Sequence, residues 1–203
     1  MNRTLVEASL DKSKLRREIL SERSRIDEIS RRESARAIRE NLLDQPWVQM
    51  AGLVAGYWSI GTEPSTHGLV FALWKHGATV ILPVLRPDSD LDWAVYDGPD
   101  SVAPGPFGIM EPVDTRRGVD TIRTAALVIV PALAVDRSTG MRLGRGGGSY
   151  DRALARVGPN VPTVALLHEG ELINGVPSEP HDRPVRYAAL PSGLFVTGVT
   201  ELS

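Results

Sequence analysis

The segment Leu127-Val128-Ile129-Val130 offers no polar face, and it lies in an uncharged apolar run of 11 residues from Ala125 to Val135. A strand with water on one side alternates in polarity. A strand with no polar side is covered on both faces, which is the situation of a central strand in a parallel sheet packed between helices. The segment therefore calls for a helical layer on each side of it. With Pro131 inside it, the run is far short of the ~20 residues that cross a bilayer, so no membrane-spanning helix is expected.

The rest of the chain supplies the layers. Leu15, Ile19, Ile26, Ile29, Ile38 and Leu42 recur near helical spacing, which predicts two amphipathic helices broken around Ile26 to Ser30. Leu53 to Trp58 reads as a strand, Ser65 or Thr66 as the cap of a helix that Gly77 ends, and Thr79 to Leu82 as the next strand. Leu91 to Tyr96 alternates like an edge or hairpin strand, and Pro99 to Pro112 reads as a proline- and glycine-rich loop. Tyr150 to Val157 is a predicted helix, Val161 to Leu167 another buried strand, and Tyr187 to Leu190 and Leu194 to Val199 two further strands. The expectation is an α/β fold, a three-layer α/β/α arrangement with a mainly parallel sheet and N-terminal helices, forming one domain over residues 1–203.

Charge is unevenly placed. The net charge is −2, yet residues 1–43 hold 11 Lys and Arg against 8 Asp and Glu, while the remainder holds 12 against 17. Such a local excess reads either as a solvated helical face or as a surface for a partner with a few phosphates; a duplex binder is usually basic overall, so no nucleic acid is expected. With no cysteine, disulfides, thiolate metal sites and cysteine nucleophiles are excluded. His67, His76, His168 and His181 are scattered, with no i, i+4 pair that would suggest zinc. The N-terminus carries no apolar secretory core, and a cytoplasmic monomer is expected.

Four glycines fall within the five positions Gly144 to Gly148, with Arg145 the only side chain among them. Such a segment brings backbone N–H groups close to an anion because nothing projects to block it, and a helix start beyond it adds partial positive charge. Arg142 and Arg145 bring forked donors for phosphate oxygens, and Asp151 suits a magnesium ion bridging them. The plainer reading of the glycines is a hinge, and of Asp151 a charge favouring the helix start. No Lys follows the glycines, so this is not a Walker A loop, and no Gly-x-Ser-x-Gly elbow surrounds Ser149. A dinucleotide fingerprint is the runner-up, since Gly144-x-Gly146 follows a strand and Glu169 lies further on. Against it, Asp136 to Met141 intervenes where that fingerprint has an immediate turn.

Taken together, Lys12-x-x-Leu15-Arg16, Tyr57-Trp58 followed by Glu63, Phe107-Gly108-Ile109-x-Glu111-Pro112, and Leu143-Gly144-Arg145-Gly146-x-Gly148-x-Tyr150-Asp151-Arg152 resemble the 5-formyltetrahydrofolate cyclo-ligase family over essentially the whole chain. The resemblance implies ATP and Mg2+ as cofactors and 5-formyltetrahydrofolate as substrate. ATP phosphorylates the formyl oxygen, N10 closes the ring to 5,10-methenyltetrahydrofolate, and ADP and phosphate leave. By the family pattern Lys12 and Arg16 contact the phosphates together with Arg142, Leu143, Gly144, Arg145, Gly146, Gly147, Gly148, Ser149 and Tyr150. Arg145 and Arg142 act on the transferring group. Trp58, Glu63, Arg145 and Ser149 meet the folate, Glu63 through the pterin, and Asp151 is the metal ligand.

Three positions depart from that pattern. Gly147 stands where the family often has Lys, Ser149 where it often has Tyr, and Arg186 where a second acidic residue tends to follow His181-Asp182. The charge lost at 147 would be supplied by Arg186 or Arg142. The same departures motivate the alternative of a folate- or nucleotide-binding paralogue without turnover, with a dinucleotide-dependent oxidoreductase as a third reading.

Overall fold

The computed structural model describes residues 3–105 and 108–198. Helix α1 (Arg3–Arg25) is followed by α2 (Glu28–Leu43). The break falls at Asp27, whose extended backbone leaves the helix and whose carboxylate accepts from Ser30 N at 2.9 Å, capping α2. A single turn, α3 (Pro46–Gln49), leads to β1 (Leu53–Ala55), then α4 (His67–Lys75), β2 (Thr79–Leu85) and β3 (Leu91–Tyr96). After β4 (Val102–Pro104) and β5 (Met110–Pro112) come β6 (Leu127–Pro131), β7 (Ala134–Asp136), β8 (Arg142–Leu143) and α5 (Ser149–Leu154). The chain continues through β9 (Thr163–Leu166), β10 (Leu172–Ile173), β11 (Tyr187–Leu190) and β12 (Gly193–Val196).

Seven strands form the main sheet in the order β12-β11-β9-β6-β1-β2-β3. Its interior pairs are parallel, and its two outer pairs, β11 with β12 and β2 with β3, are antiparallel. The apolar run takes the middle place as β6, with Leu127, Val128, Ile129 and Val130 all buried. Successive residues serve opposite cores. Leu127 and Ile129 pack with Val54, Val80 and Leu82 beneath Ile38, Leu42, Leu69 and Leu73 of α2 and α4. Val128 and Val130 pack with Ala55, Ile81 and Ala165 beneath Ala153 and Leu154 of α5 and Ile122 of the 3-10 helix Val119–Thr124. This is the α/β layering that a strand without a polar face requires.

Two readings are corrected. Pro99 to Pro112 is not wholly loop, because β4 and β5 pair in a short hairpin with Val102 opposite Pro112. The helix at Tyr150 starts at Ser149 and ends at Leu154. A small sheet, β10-β7-β8, carries no periodic signal because its strands are only two or three residues long. It supports α1, whose Leu15, Ile19 and Leu20 lie on Leu133, Leu143 and Val176. Among the described residues no helix is long and apolar enough to cross a membrane. Val199, the end of the last expected strand, lies outside the described residues.

Candidate active site

A cavity of about 320 Å³ opens beyond the carboxyl ends of the central strands, the usual ligand position of an open parallel sheet. Its lining includes Lys12 and Arg16 of α1, Trp58 and Glu63 after β1, and the whole stretch Arg142 to Asp151. The residues that the family pattern assigns to ATP, folate and metal therefore line one cavity. Phe107 lies outside the described residues.

The glycine segment is shaped for an anion. Gly146 and Gly148 take φ of 107° and 68°, a region that side-chain-bearing residues rarely adopt. At Gly144 a Cβ would stand 2.8 Å from Arg142 Nη1. The amides of Arg145, Gly146 and Gly147 donate to no other group among the described residues. Arg16 reaches in from α1, donating from Nε to Gly144 O at 2.8 Å, and its guanidinium carbon lies 3.6 Å from where a Cβ on Gly146 would be. Because α5 has only six residues, the open amides and Arg16, rather than a long helix dipole, give the loop its anion character.

The other cations of the cavity are paired. Arg142, buried in β8, donates from Nη2 to Asp151 Oδ1 at 2.9 Å and from Nη1 to Pro131 O at 3.2 Å. Arg145, half exposed, donates from Nε to Glu63 Oε1 at 3.0 Å, while Glu63 Oε2 accepts from Ile60 N. Lys12, 5% exposed, places its ammonium 2.7 Å from Glu179 Oε2 and 2.6 Å from Asp182 Oδ2. Among the described residues Arg16 is the one of the four that pairs with no carboxylate, which leaves its charge for an incoming anion.

These contacts revise the roles drawn from the sequence. Lys12 sits on carboxylates while it lines the same cavity as the glycine segment, and Glu63 already holds Arg145. Asp151 Oδ1 accepts from both Arg142 and Arg183 N, so Oδ2 is the oxygen left for a metal. Arg186 does not line the cavity; its guanidinium lies over the Tyr187 ring at 5.9 Å, which removes it as a substitute for the missing Lys and leaves Arg142. Glu169, the acidic partner of the dinucleotide reading, accepts from Ser192 N and does not line the cavity either. Sequence reasoning passed over Glu179. Its signal was proximity to His181-Asp182, whose ligand atoms lie with its own within 4.8 Å of one another.

The aromatic side of the cavity comes from the segment that follows β1. Trp58 stacks on His67 with ring centroids 4.2 Å apart and planes 19° apart. Tyr57 is buried beside it, its phenol pushed well up by burial and then by the Glu63 charge, so it stays protonated. Tyr150 is raised for the same two reasons.

Residues 8–191 match the 5-formyltetrahydrofolate cyclo-ligase family. The chain belongs to that family. A 5-formyltetrahydrofolate cyclo-ligase of Mycolicibacterium smegmatis is 37% identical over 186 residues, covering 89% of this chain and 93% of that protein. The cyclo-ligase of Escherichia coli K12 is 32% identical over 157 residues, covering 76% and 86%. Among solved structures, the 5,10-methenyltetrahydrofolate synthetase of Aquifex aeolicus superposes with a TM-score of 0.80 at 28% identity over 95% of each chain. The synthetase of Mycoplasma pneumoniae has the same fold, with a TM-score of 0.71 at 16% identity over 89% of this chain and 99% of that one.

Proposed function

We propose that the protein catalyses the ATP-dependent conversion of 5-formyltetrahydrofolate to 5,10-methenyltetrahydrofolate. The observation that carries this reading is the Arg145–Glu63 contact. It joins a glycine turn with open amides to a carboxylate and an aromatic surface in one cavity, so two different ligands would meet there.

On this reading the γ-phosphoryl group lies against Arg16 and the amides of Arg145 to Gly147. The formyl oxygen attacks phosphorus and the bond to the β-phosphate oxygen breaks, releasing ADP. N10 then attacks the activated carbon and loses its proton, and the C–O bond breaks to release phosphate. A formyl oxygen is a poor leaving group and a phosphate a good one, so positive charge and placement matter more than a protein nucleophile. Arg145 is the charge free to turn toward the phosphoryl group, because it is half exposed on the glycine turn and Glu63 can exchange it for the donor edge of the pterin. Trp58 gives that ring a flat surface. Mg2+ favours one or two carboxylates plus substrate phosphates and waters, which Asp151 Oδ2 fits, and when bound it neutralises charge on the phosphates. The Glu179–His181–Asp182 group fits less well, since Lys12 occupies it.

Incubation with 5-formyltetrahydrofolate, Mg2+ and ATP tests the proposal through the near-ultraviolet absorbance of the methenyl product. ATP-dependent appearance of product is expected. Binding of both ligands without product would instead favour the paralogue suggested by Gly147 and Ser149.

A further inference from the structure

The face of α1 that carries Lys12 and Arg16 to the cavity continues to a residue outside it. At 3.6 residues per turn, Arg16, Ile19 and Arg23 all point within about 40° of Lys12. Arg23 is 1% exposed and does not line the cavity. It donates from Nε to Glu171 Oε1 at 2.6 Å, and from Nη2 to Glu171 Oε2 and Ala132 O, both at 2.7 Å.

Glu171 extends the contact. Its Oε2 also accepts from His168 N at 2.8 Å, and His168 Nε2 meets Thr62 O at 3.0 Å. Thr62 directly precedes Glu63. Ala132 directly follows Pro131, whose carbonyl accepts from Arg142. One buried guanidinium thus joins α1, the end of β6 and the segment that presents Glu63.

A buried ion pair is a poor source of net stability compared with apolar side chains of similar volume. Ile19 and Leu20 already dock α1 on the small sheet. What Arg23 adds is geometric, since a bidentate fork admits one register where an apolar contact admits several.

We propose that Arg23 and Glu171 are a positioning pair that sets α1 and the Thr62–Glu63 segment in a single register, aligning the anion end and the carboxylate end of the cavity together. The proposal rests on the cyclo-ligase reading for its kinetic form. Without the pair the aligned arrangement becomes a minor state, and each ligand has to draw the protein back into it. Apparent affinity then falls by the aligned fraction for both ligands, while turnover at saturation is kept. A residue that only helps folding behaves differently, because unfolded enzyme lowers turnover per mole and leaves KM unchanged.

The test uses the full chain as wild type, Arg23→Met, Glu171→Gln and the double variant, assayed where circular dichroism shows each to be folded. Arg23→Met is expected to raise KM for ATP and for 5-formyltetrahydrofolate by about tenfold or more, with kcat within about threefold. The double variant should resemble the single ones, because the two residues act as a unit. Unchanged KM for either substrate, a fall in kcat alone, or effects that multiply in the double variant would each overturn the proposal. If Arg23→Met does not fold, Arg23→Lys, which keeps the charge and loses the fork, is read by the same criteria. Hydrogen exchange without ligands separates this inference from the reading beneath it. Joint loosening of α1 and residues 60–63 in the variants, with no turnover in the wild type, sinks the cyclo-ligase reading and keeps the pair. Turnover in the wild type with unchanged exchange sinks the pair alone.

Discussion

Replacing Lys12 by Met separates the two demands made on that side chain. The ammonium lies between Glu179 and Asp182, and the Lys12 and Asp182 side chains are 6% and 8% exposed. Removing one partner of so buried a pair leaves an uncompensated carboxylate, with a second beside it, at a cost of about 3 kcal/mol. At roughly 2.1 cal/mol/K per residue, a chain of 203 residues has an unfolding entropy near 0.4 kcal/mol/K, so Lys12→Met should lower Tm by about 7 °C. The decisive observation is a reversal of sign. Asp182→Asn should destabilise the wild-type chain, because it weakens the contact with Lys12. In the Lys12→Met background it should raise Tm, because it removes one of two facing charges while its amide oxygen still accepts from Glu179 N. Differential scanning calorimetry of the four proteins checks this. A double variant no more stable than Lys12→Met, or a single-variant loss under about 2 °C, would refute the account of Lys12 as the counter-charge of that corner.

Three other outcomes are expected. Arg145→Ala should lower kcat by about 10²- to 10³-fold, the usual effect of removing one preorganised donor from developing charge, and steady-state turnover measures it. Burial holds His168 below the ordinary imidazole range against the Thr62 and Glu171 interactions that raise it. The unfolded chain therefore binds the extra proton first, and stability should fall as pH drops below about 6.5, by up to about 1.4 kcal/mol per pH unit, a slope that denaturant titrations should find reduced in His168→Gln. For Asp136, burial alone would raise the carboxyl, but bonds from Ser138, Thr139, Val176 and Gly175 outweigh it and hold it far below the usual range. Asp136→Ala leaves those amides unanswered and should cost about 3 kcal/mol in urea unfolding.

The sequence announced the parts of the fold whose local pattern and long-range role agree. Leu127 to Val130 is apolar because both of its faces are covered, and that fact is visible without knowing the cover. The glycine turn is legible for a related reason, since Gly146 and Gly148 hold backbone angles that exclude most other residues. The small sheet was not legible, because β8 and β10 are two residues each and too short for a period. The ion pairs were hidden for another reason. Lys12 and Asp182 are separated by 170 positions, and Arg23 and Glu171 by 148, and nothing in a local window tells a buried cation from a solvated one. Helix α1 illustrates the point. Its apolar residues define the stripe that docks, while Lys12, Arg16 and Arg23, three charges along that stripe, are what fix its place.

Read as a measuring stick, α1 sets a tolerance on the length of this chain. Arg16 and Arg23 are two turns apart, about 10.5 Å along the axis. Inserting or deleting one residue between them would swing one end of the stripe through about 100° relative to the other, so the guanidinium at the glycine turn and the one on Glu171 could not both be seated. An inserted heptad would restore the phase but displace one end by those same 10.5 Å. Point changes on the outer face of the helix are cheap, whereas changes of length within it are not. This stretch can drift in composition while its residue count stays fixed.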